Sequence, residues 1–254
     1  AWARRRKKIL LACLRSLVNR DHPDPAQRDG VMSADSSRCQ GGSEITTYDS
    51  LDPSLGQARS NLYLAVKTWA AYLGLEALLD GRAAALAARQ SNLCATTIAS
   101  HAGRDGCIPA LLGEGHQARL IPAVEGFVFT LVWGMEKLWS QDGKFAEFHR
   151  VMGTHLQIVL NRGGCKFPDG GWKLSSTNDN SWLSKIYLCQ HVAEKVFGHK
   201  PDGRADQAHA AWLLDPENSY QAWSDQMVRG KARGSKYYPR GVTSWLWLGG
   251  SAPA

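Results

Sequence analysis

The sequence predicts an all-α fold arranged as part of an (α/α) barrel, and three observations carry that prediction. Apolar residues recur with helical period in segment after segment, while period-two alternation is scarce. The helical segments alternate between apolar, aromatic-rich stretches and stretches with one charged or polar face, as inner and outer layers would. Polar, glycine-rich loops at 30–52, 103–122, 163–180 and 230–239 all precede the more apolar helices, so in a two-layer ring they would meet at one mouth.

The elements follow in order. A first outer helix lies near 5–18. Asp52-Pro53 reads as the next helix start, because an Asp side chain at the N-cap accepts orphan backbone N–H groups and Pro is tolerated at the first helical position. The stripe Leu55, Ala58, Leu62, Val66, Trp69 and Leu73 then predicts a long inner helix, with an outer partner near 84–101. Pro122 heads an inner segment near 123–139, and 144–161 lies outside it. Asn180 stands at the predicted N-cap of an inner helix near 181–197, outer helices follow near 205–214 and 219–229, and a last inner helix begins after Pro239. About four outer–inner pairs result.

A chain of 254 residues can bury a sizeable core, and no linker divides it. The net charge of +7 owes five charges to one run, Arg4, Arg5, Arg6, Lys7 and Lys8. No stacking or base-reading groups interleave with them, so a solvated helix face is favoured over nucleic-acid binding. Six scattered cysteines form no CxxC pair and no zinc-finger spacing, which favours reduced, buried thiols and a cytoplasmic setting. No stretch approaches the ~18 apolar residues of a membrane span.

For chemistry, the segment Thr46-Thr47-Tyr48-Asp49-Ser50-Leu51-Asp52 stands out, with two spaced carboxylates entering an apolar helix. Asp52 has a capping duty; Asp49 has none and is the one free to move a proton, its plain alternative being a second cap or turn carboxylate. Glu125, at the head of an inner helix, either binds a polar partner or serves as a first-turn anion on the helix dipole. Trp172 and Trp182 flank the 173–180 loop and are candidate stacking faces at that mouth, whereas Trp69, Trp133 and Trp212 lie on core stripes. Asn180 either caps or reads hydroxyls, with capping favoured. Arg240, Thr47 and Lys236 complete the polar candidates. No GxSxG elbow, dinucleotide loop or HExxH is present, and His149 with His155 lacks the spacing of a metal pair.

These residues carry a resemblance. The Thr46 to Asp52 segment with Ser54-Leu55-Gly56-Gln57-Ala58-Arg59 resembles the acid/base segment of glycoside hydrolase family 52, the retaining β-xylosidases. Val18-Asn19-Arg20-Asp21-His22-Pro23-Asp24-Pro25, Phe167-Pro168-Asp169-Gly170-Gly171-Trp172-Lys173, Asn180-Ser181-Trp182-Leu183-Ser184-Lys185-Ile186-Tyr187 and Gly234-Ser235-Lys236-Tyr237-Tyr238-Pro239-Arg240 are similar to that family in order and spacing.

The resemblance implies an N-terminal β-sandwich and an (α/α)6 barrel, of which this chain would be the C-terminal portion, its abrupt opening at Ala1-Trp2-Ala3 fitting a fragment. It implies Asp49 as general acid/base, with Tyr48 among the groups that desolvate it, and Thr47, Glu125, Trp172, Asn180, Trp182, Lys236 and Arg240 as sugar-binding candidates. The nucleophile would be a glutamate upstream. Xylo-oligosaccharide is the implied substrate, no cofactor or metal is expected, and a homodimer of the full-length enzyme is a further expectation. Two alternatives stay open: a β-glucosidase-like specificity, and a non-catalytic helical piece that binds sugar or a partner.

Overall fold

The computed structural model describes residues 1–22, 24–34, 52–55, 59–113, 116, 118–219 and 225–233. Among them, helices dominate: α1 (Trp2–Arg5), α2 (Lys7–Asn19), α3 (Leu62–Leu78), α4 (Gly81–Ser100), α5 (Phe127–Val132), α6 (Ala146–Asn161), α7 (Leu183–Lys195), α8 (Arg204–Leu214) and α9 (Pro216–Ser219). Three short strands, β1 (Asn180–Trp182), β2 (Gln226–Val228) and β3 (Lys231–Ala232), form one antiparallel sheet in that order. The protein is mostly helical, with one small sheet that the periodicity did not predict. No helix of the described residues is long and apolar enough to cross a membrane.

The layering follows from side-chain distribution. α3 is apolar on every side and buries Leu62, Tyr63, Val66, Trp69, Ala70, Tyr72, Leu73 and Leu75; a helix apolar all round is stable only when enclosed. α6 buries a single stripe, Phe148, Val151, Met152, His155, Leu156 and Val159, at spacings of three and four. α4 buries Ala87, Ser91, Cys94, Ala95 and Ile98, most of them small enough to let it lie along α3. α3 contacts α5 and α5 contacts α7, while α2 meets α4 and α4 meets α6. Aromatic rings lock α3, α5 and α6 together: the Trp69 centroid lies 4.8 Å from that of Phe127 and 5.0 Å from that of Phe148. At the head of α5, a Cβ on Gly126 would sit 2.6 Å from the Val66 carbonyl oxygen, so this crossing admits no side chain.

Several predicted boundaries are corrected. Asp52 does not start the long helix; it caps one 3-10 turn, Pro53–Leu55, by accepting the Ser54 N–H at 3.0 Å. Ser60, at φ +49°, interrupts the chain. α3 begins one residue after Asn61, whose side chain accepts the Leu64 N–H at 2.8 Å. The 123–139 segment is broken into a 3-10 turn at Pro122–Val124, α5, and a second 3-10 turn at Glu136–Leu138. Of the helix expected over 219–229, the described residues 225–229 instead hold β2, and the chain then reverses through Arg229 (φ 51°) and Gly230 (φ 71°) into β3. Two successive left-handed residues suit the right-handed twist of a tight hairpin. The helix expected after Pro239 lies outside the described residues.

Candidate active site

The loops ahead of α3, α5 and α7 are stitched to one another by backbone hydrogen bonds. Leu62 N–H donates to Ala110 and Leu112 N–H to Ser60, joining the first two loops. Ile121 N–H donates to Leu174 and Ser176 N–H to Arg119, joining the second and third. The heads of three apolar helices therefore share one polar band, as a common mouth requires. His155 pins the middle loop from below: its Nδ1 accepts the Ile108 N–H at 3.1 Å, which leaves Nε2 to donate to the Leu120 carbonyl at 2.9 Å.

Asp52 is the keystone of this band. Only 1% exposed, its carboxylate accepts hydroxyls from Ser54 at 2.6 Å, Ser175 at 2.7 Å and Thr177 at 2.5 Å. Burial opposes its ionisation, but the hydrogen bonds from Ser54, Thr177 and Ser175 outweigh it and hold the carboxyl below the usual carboxylate range. A carboxylate so saturated is a poor proton donor near neutral pH. Asp52 is thus a structural anion that ties the loop ending at Pro53 to the 173–180 loop. Asp49, Thr47, Tyr48, Lys236 and Arg240 lie outside the described residues.

Glu125 is placed. It is 6% exposed, just before α5, and its Oε2 receives both Lys67 Nζ and Lys185 Nζ at 3.3 Å. The same two ammonium groups donate to the Tyr63 hydroxyl at 2.6 and 2.5 Å. Burial lowers the Lys67 pKa, with Glu125 opposing that shift and Lys185 reinforcing it. Of the two roles the sequence offered Glu125, holding polar side chains is the one visible here. Lys67 was not singled out from sequence, although a lone lysine within the apolar run of α3 was a signal, and Tyr63 and Lys185 were given no role of their own there.

The tryptophans divide. Trp172 is 2% exposed, packed in the main core with its ring edge toward His199, so it is a wall residue and not an open stacking face. Its backbone N–H donates to His209 Nε2 at 2.9 Å. Trp182 is half-buried against the same core, at the junction of β1 and α7. Asn180 does not cap α7: it sits in β1 opposite Val228. The cap is Asp225, which reaches across from the start of β2 to accept the Ser184 N–H at 2.8 Å and its hydroxyl at 2.7 Å. Spacing could not have found it, since the two residues stand 41 positions apart. Asn180 and the 173–180 loop line an open cleft of about 710 Å³ with the β2–β3 hairpin. Among the described residues no group of three or more His, Cys, Asp or Glu side chains could hold a metal ion.

Over 98% of its length, the chain is 55% identical to a β-xylosidase of Geobacillus stearothermophilus. The chain is a homologue of the β-xylosidases. It spans 36% of that relative's length. A second β-xylosidase of Geobacillus stearothermophilus is 48% identical over 96 residues, 35% of this chain and 15% of the relative. No family model matches the chain. The resemblance read from the motifs is borne out by these relatives.

Proposed function

We propose that this protein is the part of a β-xylosidase barrel that carries the general acid/base, Asp49, and that the longer enzyme releases xylose from the non-reducing ends of xylo-oligosaccharides with retention of configuration. The observation that carries the reading is 55% identity to a β-xylosidase over 98% of the chain. The architecture supports it: α3, α5 and α7 act as inner helices of an incomplete (α/α)6 barrel, α2, α4, α6 and α8 as its outer layer, and the stitched loops as its mouth. Retention needs two carboxyl groups about 5 Å apart, one to attack the anomeric carbon and one to protonate the leaving oxygen. Asp49 supplies the proton, since Asp52 is committed to Ser54, Ser175 and Thr177. The attacking carboxylate comes from residues of the longer enzyme outside this chain.

In this reading Thr47, Tyr48, Asn180, Trp182, Lys236 and Arg240 contact sugar, Glu125 orients the lysines beside it, and Trp172 backs the mouth. The enzyme works in the cytoplasm, which the buried free thiols Cys94, Cys107, Cys165 and Cys189 suit.

The test is made on the longer enzyme. Asp49→Ala should cripple hydrolysis of xylosides with poor leaving groups far more than activated aryl xylosides, which scarcely need protonation. Azide should partly restore turnover and yield a β-xylosyl azide, because it needs no general base. The 254-residue chain alone should turn over an aryl β-xyloside negligibly. If the leaving-group dependence and azide product appear with Asp52→Ala instead, the two aspartates exchange roles.

A further inference from the structure

We propose that Lys67 and Lys185 form a carboxylate-binding subsite whose ligand is a sugar acid, a hexuronate. The proposal rests on the reading that the loops ahead of α3, α5 and α7 are a sugar-binding mouth, and it adds a ligand class to that mouth.

Charge inventory is the first argument. Two ammonium groups share one carboxylate, Glu125, so among the described residues the set carries one uncompensated positive charge. An ammonium group has three N–H donors. Each lysine directs one to the Tyr63 hydroxyl and one toward Glu125, which leaves one apiece. The lysine side chains are 29% and 23% exposed while Glu125 is 7% exposed, so the unspent donors face solvent and the compensating charge does not.

Position is the second argument. Lys185 stands in the first turn of α7, where the helix dipole is positive and a cation is disfavoured; Lys67, in the second turn of α3, lies beyond that field. Burial further penalises the charge on Lys67. Two cations, one set against the helix dipole and one against burial, with a single buried anion between them, are stabilised by a further anion that takes one N–H from each. Such conflicts between local preference and placement concentrate at functional sites. A monoanion matches the surplus of one charge, whereas a phosphate dianion would overshoot it. The two oxygens of a carboxylate suit two separate donors. A hexuronate offers that group on a sugar ring.

The test is a titration of the purified protein at low salt with D-glucuronate, with D-glucose and D-xylose as neutral controls, read by NMR chemical shifts. Glucuronate should bind about tenfold or more tightly than glucose, weaken with added NaCl, and lose about tenfold on either Lys67→Met or Lys185→Met, the loss of one charge-assisted hydrogen bond. Glu125→Gln removes the competing anion and should tighten glucuronate several-fold, a gain that a misfolded variant could not give. Equal binding of glucuronate and the neutral sugars overturns the subsite and leaves the mouth standing. No binding of any of the three overturns both. Unchanged glucuronate affinity in folded lysine variants, or weaker affinity in folded Glu125→Gln, also overturns the subsite.

Discussion

Lowering the pH from 7.5 to 5 should destabilise the protein through two buried imidazoles. His155 is fully buried on α6 and His209 fully buried on α8, and burial is the main cause that drops each pKa from 6.5 to about 4. Each must stay neutral, because its Nδ1 (His155) or Nε2 (His209) accepts a backbone N–H, from Ile108 and Trp172 respectively. The folded pKa values lie below the unfolded ones, so the unfolded chain takes up protons first. The stabilisation is complete above about pH 6.5 and is lost as pH falls toward 4. With shifts from 6.5 to about 4, each histidine costs about 2 kcal/mol at pH 5 and about 3 kcal/mol in the acid limit. Together they remove about 4 kcal/mol at pH 5, a large fraction of a typical domain's 5–15 kcal/mol. Urea midpoints at both pH values would measure this. His155→Gln keeps an acceptor and a donor but cannot titrate, so it should lose about 2 kcal/mol less than wild type over the same interval, whatever its stability at pH 7.5. An unchanged pH increment in that variant would refute the assignment to His155.

Two further outcomes are expected. Asp52→Ala leaves the Ser175 and Thr177 hydroxyls without their shared acceptor and removes a 3-10 cap, so it should cost about 2–4 kcal/mol by denaturant unfolding, more than a cap alone. Gly126→Ala places a methyl 2.6 Å from the Val66 carbonyl oxygen and should cost about 1–3 kcal/mol by prying α5 from α3, seen as a lowered melting temperature.

The outer helices were legible because each buries one stripe. The residues Phe148, Val151, Met152, His155, Leu156 and Val159 announce α6 at helical spacing whatever they touch. The start of α3 was misread because two cap signals stand nine residues apart, and Asp52 turned out to serve the 173–180 loop rather than the helix. The hairpin at 226–232 was missed because its strands are two and three residues long, too short for any period to register. In the candidate site, the positions of Glu125 and Asn180 near the polar loops were foreseen; their partners were not, since Lys185 reaches Glu125 from 60 residues away and Asp225 replaces Asn180 as the cap. Burial of Trp172 depends on the whole core closing around it, which a count of aromatic residues near a loop does not report.

Four of the bonds that stitch the three loops run from main chain to main chain: Leu62 to Ala110, Leu112 to Ser60, Ile121 to Leu174 and Ser176 to Arg119. Backbone groups are the same for every residue except proline, so the frame of this band is indifferent to the identity of most side chains it displays. Side-chain anchors must be kept, Asp52 and His155 among them and also Ser176 and Asn178, which accept the Arg119 and Asn180 N–H groups; positions whose side chains make no such bond can be exchanged without moving the frame. What such a band displays can drift by single substitutions at positions whose side chains make no bond to it, one at a time, over an unmoved scaffold.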